Sequence, residues 1–191
     1  RLGVNEAAVR WDTDAEALLS NERFTAVSGE NAPLRIEAAD GGAAYGRRVY
    51  TVTAEAGAEL TVFEVCTAAQ PLAAELRLMA AEGAHLRVVQ LLNPTRGAVL
   101  RHELSAQLAE HAKLDLISLQ LGDGAVYADH QIALIHHHRL TGGNGALRNV
   151  EFHPGEAVRF RVDGAGLLRL AVTGLDRHPD WFGQLREGIP D

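Results

Sequence analysis

Cysteine is almost absent: Cys66 is the only one in 191 residues, and methionine also occurs once. One thiol cannot close an internal disulfide, which excludes a disulfide-stapled secreted scaffold and favours a reducing compartment. Positive charge is also short, with 18 Lys and Arg against 25 Asp and Glu and a formal charge of -7. That balance gives no support for binding nucleic acid or an anionic membrane surface. Long apolar runs are missing too. The best, "HLRVVQLL" and "LDLISLQL", are broken by charge and fall far short of a membrane span. The opening "RLGVNEAAVRWDTDAEALL" has one early arginine and no unbroken apolar region of the signal-peptide kind. The expectation is a cytoplasmic chain with neither membrane nor nucleic acid as partner, long enough for one domain that buries roughly 70% of its unfolded surface.

What the chain does have is glycine, at 19 positions. Gly29, Gly41, Gly42, Gly57, Gly83, Gly122, Gly124, Gly142, Gly143, Gly155 and Gly164 punctuate it at gaps that suit strands and leave little room for long helices. Between them one phrase recurs: "AEAGAELTVFEV", "AAEGAHLRVVQLL" and "AEHAKLDLISLQL". Superposition aligns Ala58, Ala84 and Ala112, at separations of 26 and 28 residues. A polar residue follows each alanine, then Leu60, Leu86 and Leu114, then Val62, Val88 and Leu116 on the same face. The next position on that face holds Glu64, Gln90 or Ser118, and with Gln120 these read as a polar ladder that is solvated or lies at an intermolecular edge. The opposite face begins wet with Thr61, Arg87 and Asp115 and is expected to end buried at Phe63, Val89 and Ile117.

Each phrase follows another strand-like run, "RRVYTVTAE", "AELRLMAAE" or "LRHELSAQLAE". "PLAAELRLMAAEGAHL" has helical propensity, but its place inside the repeat makes it strand. A two-strand unit of this kind cannot bury its own apolar face, whereas stacked units bury it against each other. The expected fold is therefore all-β, a β-solenoid, with an antiparallel β-sandwich as the alternative. After Leu121 the copies degrade. "VRFRVDGAGLLRLAVTG" keeps Ala165 and Leu167 in place, about two periods beyond Ala112, and the stretch between is an interrupted coil or a terminal cap. The expected organisation is an N-terminal arm or irregular region over 1–40, a solenoid core over 41–172 and a C-terminal tail over 173–191.

"VYTVTAEAGAELTVFEV", "LRVVQLL" and "HAKLDLISLQLGDGAVYADHQIAL" together resemble the core of the SufB/SufD family of iron–sulfur cluster assembly proteins, over about Tyr50 to Leu134. A weaker resemblance, carried by "GAHL"-like turns, is to the UreD/UreH urease accessory proteins. The first resemblance implies a right-handed β-helix that pairs with a like subunit and works with a SufC-like ATPase. It implies a non-enzymatic scaffold, a homo- or hetero-oligomer with a SufB-like subunit as one partner, and a transient iron–sulfur cluster as cargo. The second implies a urease-type metallocentre accessory role. In the SufB/SufD family a helical C-terminal region engages the ATPase, whereas "TGLDRHPDWFGQLREGIPD" has room for one short helix at most.

Histidine supplies the competing chemistry. His136, His137 and His138 are consecutive, and on a strand His136 and His138 share a face. With His130 six residues upstream of the run they offer three imidazole nitrogens to a borderline divalent metal. The alternative function is thus a metal-binding β protein or enzyme using His130, His136 and His138. A plainer reading leaves the run as polar filling beside the "TGGNG" turn, which lacks the lysine of a phosphate-binding loop. Cys66 reads as a buried, inert thiol, since one thiolate cannot hold a cluster unaided. No HExxH motif and no glycine-framed serine nucleophile is present.

Overall fold

The structure, a computed structural model, describes residues 17–42, 45–134, 138–142, 150–152, 157–163 and 166–174, with side-chain surroundings between residues 19 and 133 apart from 43 and 44. The repeats are coils of a β-solenoid. Its strands are β1 (Ala17–Ala26), β2 (Gly29–Glu30), β3 (Leu34–Ala39), β4 (Gly46–Ala54), β5 (Ala58–Ala68), β6 (Leu72–Ala80) and β7 (His85–Pro94). They continue as β8 (Val99–Leu108), β9 (Lys113–Gln120), β10 (Ala125–Leu134), β11 (His138–Gly142), β12 (Val150–Phe152), β13 (Ala157–Asp163) and β14 (Gly166–Gly174).

Successive strands alternate between two sheets. The first is six-stranded, in the order β1-β4-β6-β8-β10-β13; the second is eight-stranded, in the order β12-β11-β14-β9-β7-β5-β2, with β3 also paired to β5. Every pairing among β1 to β10 themselves is parallel, which rules out the sandwich alternative. The segment with helical propensity holds the strand expected of it, β6, clamped between β4 and β8.

The corners explain why alanine recurs. Ala58, Ala84 and Ala112 each donate a backbone bond to the residue three before, Glu55, Ala81 and Ala109, closing a turn. All three alanines are fully buried, where a larger side chain would have no room. The third turn residue has positive φ, at 66° in Gly57 and Gly83 and 55° in His111. A turn with only that residue left-handed is type II, and glycine is its least strained occupant. The turns also stack: Gly57 N–H donates to Glu82 O and Gly83 N–H to Glu110 O, both at 2.9 Å, so the inter-coil ladder continues around the corner. At another corner Asp40 accepts from the backbone N–H groups of Gly42, Ala69 and Gln70, and these bonds hold its carboxyl below the ordinary value.

Inside, one face of each sheet packs on the other. Leu60, Leu86 and Leu114 are buried as expected, and across from them Leu72, Leu76, Leu78, Leu100, Leu104 and Leu108 fill the same core. The outward row behaves differently from the expectation. Phe63 is 42% exposed, and Val89 and Ile117 are only half-buried, because side chains of that parity point away from the facing sheet.

The solenoid also begins earlier than residue 41. β1 and β3 pair in parallel with β4 and β5, so 17–39 forms a coil rather than an irregular arm; residues 1–16 and 175–191 lie outside the described residues. After β10 the chain reverses. β13 runs antiparallel to β10, and β14 lies antiparallel between β9 and β11. "VRFRVDGAGLLRLAVTG" is therefore not another coil of the same sense: Leu167 pairs with Leu119 in the opposite direction.

Candidate functional site

Strand parity, rather than polarity, decides what enters the space between the sheets. On β5 the inward row runs Leu60, Val62, Glu64, Cys66, and on β8 it runs Leu100, His102, Leu104, Ala106. Glu64 and His102 are consequently buried completely, together with Gln90 on β7 and His130 on β10. Row neighbours accommodate them. Glu64, Gln90 and Ser118 are in register across β5, β7 and β9, while His102 stands between Ala74 and Ala128, whose small side chains leave space for an imidazole.

The ladder read as solvated is thus wholly inside. Gln120 also departs from expectation, since it aligns with Leu92 and lies one inward position beyond Ser118. These polar groups face inward because the period-two pattern around them is apolar, and a surface ladder would have required the opposite parity.

The cluster is hydrogen-bonded across the sheets. Gln90 Nε2 donates to Glu64 Oε2 at 2.7 Å. His102 Nε2 lies 3.1 Å from both carboxylate oxygens of Glu64 and donates to them. Its 3.3 Å approach to Gln90 Nε2 then places two donors side by side and is no bond. His130 Nε2 donates to Gln90 Oε1 at 3.3 Å, and the two imidazole rings are 6.2 Å apart.

Burial alone would raise the Glu64 carboxyl, but the charge and hydrogen bond of His102, helped by Gln90 and Cys66, bring it below the ordinary value. Burial pushes the Cys66 thiol well up, and the Glu64 carboxylate beside it adds to the effect. His130 goes the other way, lowered to about 4 by burial and by the charge of His102, and is the neutral imidazole at physiological pH. One carboxylate, one thiol and one imidazole, from Glu64, Cys66 and His102, place ligand atoms within 4.8 Å of one another. Such a set can hold a divalent ion.

Of the histidines singled out from sequence, His130 belongs to this cluster. His136 and His137 lie outside the described residues. His138 opens β11, with its backbone paired to Phe152 and Gly174. Cys66 is buried as expected, though beside a carboxylate rather than in a purely apolar pocket. His102 was not anticipated. Its signal was present in "VLRHELSAQL", where alternation with Leu100 and Leu104 puts it inward.

Among the described residues no helix is long and apolar enough to cross a membrane. No curated protein and no solved structure gives a significant match. Residues 34–146 match the family "SUF system FeS cluster assembly, SufBD core domain", which spans more than half of the chain and extends the resemblance seen from Tyr50 to Leu134 in both directions. SufBD core domains are structural modules, in keeping with a non-catalytic role in iron–sulfur assembly. With its parallel coils and its match over 34–146, the chain belongs to the SufB/SufD core family.

Proposed function

We propose that this chain is a non-enzymatic scaffold in cytoplasmic iron–sulfur cluster assembly, acting through a SufC-like ATPase and a SufB-like subunit or a second copy of itself. The observation that carries the reading is the match of 34–146 to the SufBD core, most of it laid over the parallel coils that run to β10. A stack of coils is a rigid rod whose outer faces are free for partners, since its own stability comes from the interior and the inter-coil ladder. The cluster itself is cargo in this reading.

Co-expression of the full chain with a SufB-like and a SufC-like protein, followed by size-exclusion chromatography, tests the proposal. The expected outcome is one complex of fixed stoichiometry that reconstitutes more cluster from iron and sulfide than the partners alone. A chain that elutes apart from both partners and leaves the cluster yield unchanged would sink it. The alternative, a metal-binding protein using His130, His136 and His138, is separated from it by loss of a tightly held ion when His136 and His138 become alanine.

A further inference from the structure

We propose that Glu64, Cys66 and His102 form a site for one divalent metal ion of the zinc, cobalt or ferrous class, enclosed between the two sheets. This goes beyond the scaffold reading and does not depend on it. The site would exist in the isolated chain, with no partner and no cluster present.

The geometry comes first. The three ligand atoms arrive from two directions, oxygen and sulfur from adjacent inward positions of β5 and nitrogen from β8 on the facing sheet. All lie within 4.8 Å of one another. Around a four-coordinate ion with bonds of roughly 2.0–2.3 Å, ligand atoms stand about 3.3–3.8 Å apart. Small side-chain movements therefore close the set without disturbing a strand.

The donor chemistry is selective. A thiolate and an imidazole beside a carboxylate suit a borderline ion and are poor for magnesium or calcium, which take oxygen ligands. Charge points the same way. A dication balances one carboxylate and one thiolate, so the occupied site is electrically neutral in a region where uncompensated charge is costly. The ion replaces the thiol proton, and any proton carried on the ligating imidazole nitrogen, and those protons leave to solvent.

A separate observation concerns unmet hydrogen bonding. Among the described residues, the fully buried side-chain atoms without a partner are His102 Nδ1, His130 Nδ1, Ser118 Oγ and both ends of the Gln120 amide. Every one of them belongs to this polar layer or to the row beside it. Buried polar atoms are normally paired, and a concentration of unpaired ones marks a place where water or an ion completes the network. Gln90 supplies the remaining ligand position. If its amide turns over, Oε1 faces the cluster and the amide NH2 faces His130 Nε2, which lies 3.3 Å from the present Oε1 position.

Because the site is closed, the ion is loaded as the chain folds. The full chain is unfolded in chelator, freed of chelator and refolded with Co2+ as the probe. One cobalt per chain is expected, with visible bands of a four-coordinate ion and a near-ultraviolet thiolate-to-cobalt charge-transfer band. Cys66 is the only cysteine, so that band reports this site alone. Cys66→Ser should abolish the band, and His102→Gln should weaken cobalt binding at least tenfold. Substituting His136, His137 and His138 together by alanine should leave both intact. Wild-type protein that refolds with cobalt bound but shows no thiolate band, or that binds none, overturns the proposal. Cobalt lost in the triple-histidine variant would assign the ion to that run instead and would likewise overturn it. Should Cys66→Ser fail to fold, the wild-type spectrum still decides.

Discussion

Two layers of the interior lie four residues apart on the same strands, equally sealed from water and opposite in chemistry. One is Leu60, Leu86 and Leu114; the other is Glu64, Gln90 and Ser118, met from the facing sheet by His102 and His130. The leucine layer gains from every methylene taken out of water. The polar layer gains little, because each group must recover from its neighbours what it lost from solvent. A buried Glu–His pair contributes little net stability, whereas the layer beside it shows how well leucine packs there.

The sharpest way to break this comparison is to remove one partner from the polar layer. His102→Leu leaves Glu64 with only Gln90 and the Cys66 thiol, and should cost about 3–5 kcal/mol in denaturant unfolding. Leu86→Ala, in the other layer, should cost slightly less, on the order of 3 kcal/mol. The double variant Glu64→Leu with His102→Leu should recover most of the loss, since an apolar pair needs no charge compensation. If His102→Leu alone is neutral, the polar layer is not held by this pair.

A pH series sharpens the contrast from another side. The folded His130 is lowered from 6.5 to about 4, so between those values the unfolded chain binds a proton that the folded one refuses. Stability should therefore fall as pH drops from about 6.5 toward 4, by on the order of 2–3 kcal/mol. Burial sets this shift first and the charge of His102 second, while the charges of Glu64 and Asp129 oppose them; Gln90 is the group that His130 bonds. Glu64 contributes in the same direction only below its ordinary value of 4.5, because its folded carboxyl is depressed. His130→Leu should flatten the limb between pH 6.5 and 4.5, and a limb that persists unchanged in that variant belongs to some other group.

The smallest expected effect lies outside both layers, at the turn where His111 takes the place held by Gly57 and Gly83. His111→Gly should stabilise by about 0.5–1 kcal/mol by removing left-handed strain, less whatever its 3.7 Å ion pair with Glu110 contributes. A thermal melt that moves down would mean that His111 contributes more through its side chain than its backbone conformation costs.

Most of the solenoid could be read from particular residues. Ala58, Ala84 and Ala112 fixed the corners, and the leucines after them fixed the inward parity, because a tight turn and a shared face leave few choices. The same parity placed Glu64, Gln90 and Ser118 correctly in register, and hydrophilicity then misdirected the reading to solvent. What a sequence of one strand does not carry is the identity of the residue facing it from the other sheet. His102 is 38 residues from Glu64, so their contact depends on how the two sheets are offset. The reversal after β10 was hidden for a related reason: period-two alternation is identical for a strand running in either direction, so "GLLRLAVTG" looks the same parallel or antiparallel.

The stacked corners have a consequence for how such a molecule changes over generations. Each corner bonds to the one before it at an offset of 26–28 residues, so a duplication or loss of one such segment preserves every rung of the ladder. The fold would survive that event. The polar cluster would not, since Glu64, Gln90, His102 and His130 come from four successive coils and meet only when all four are in sequence. Architecture is inherited here one coil at a time, and the chemistry only four coils at once.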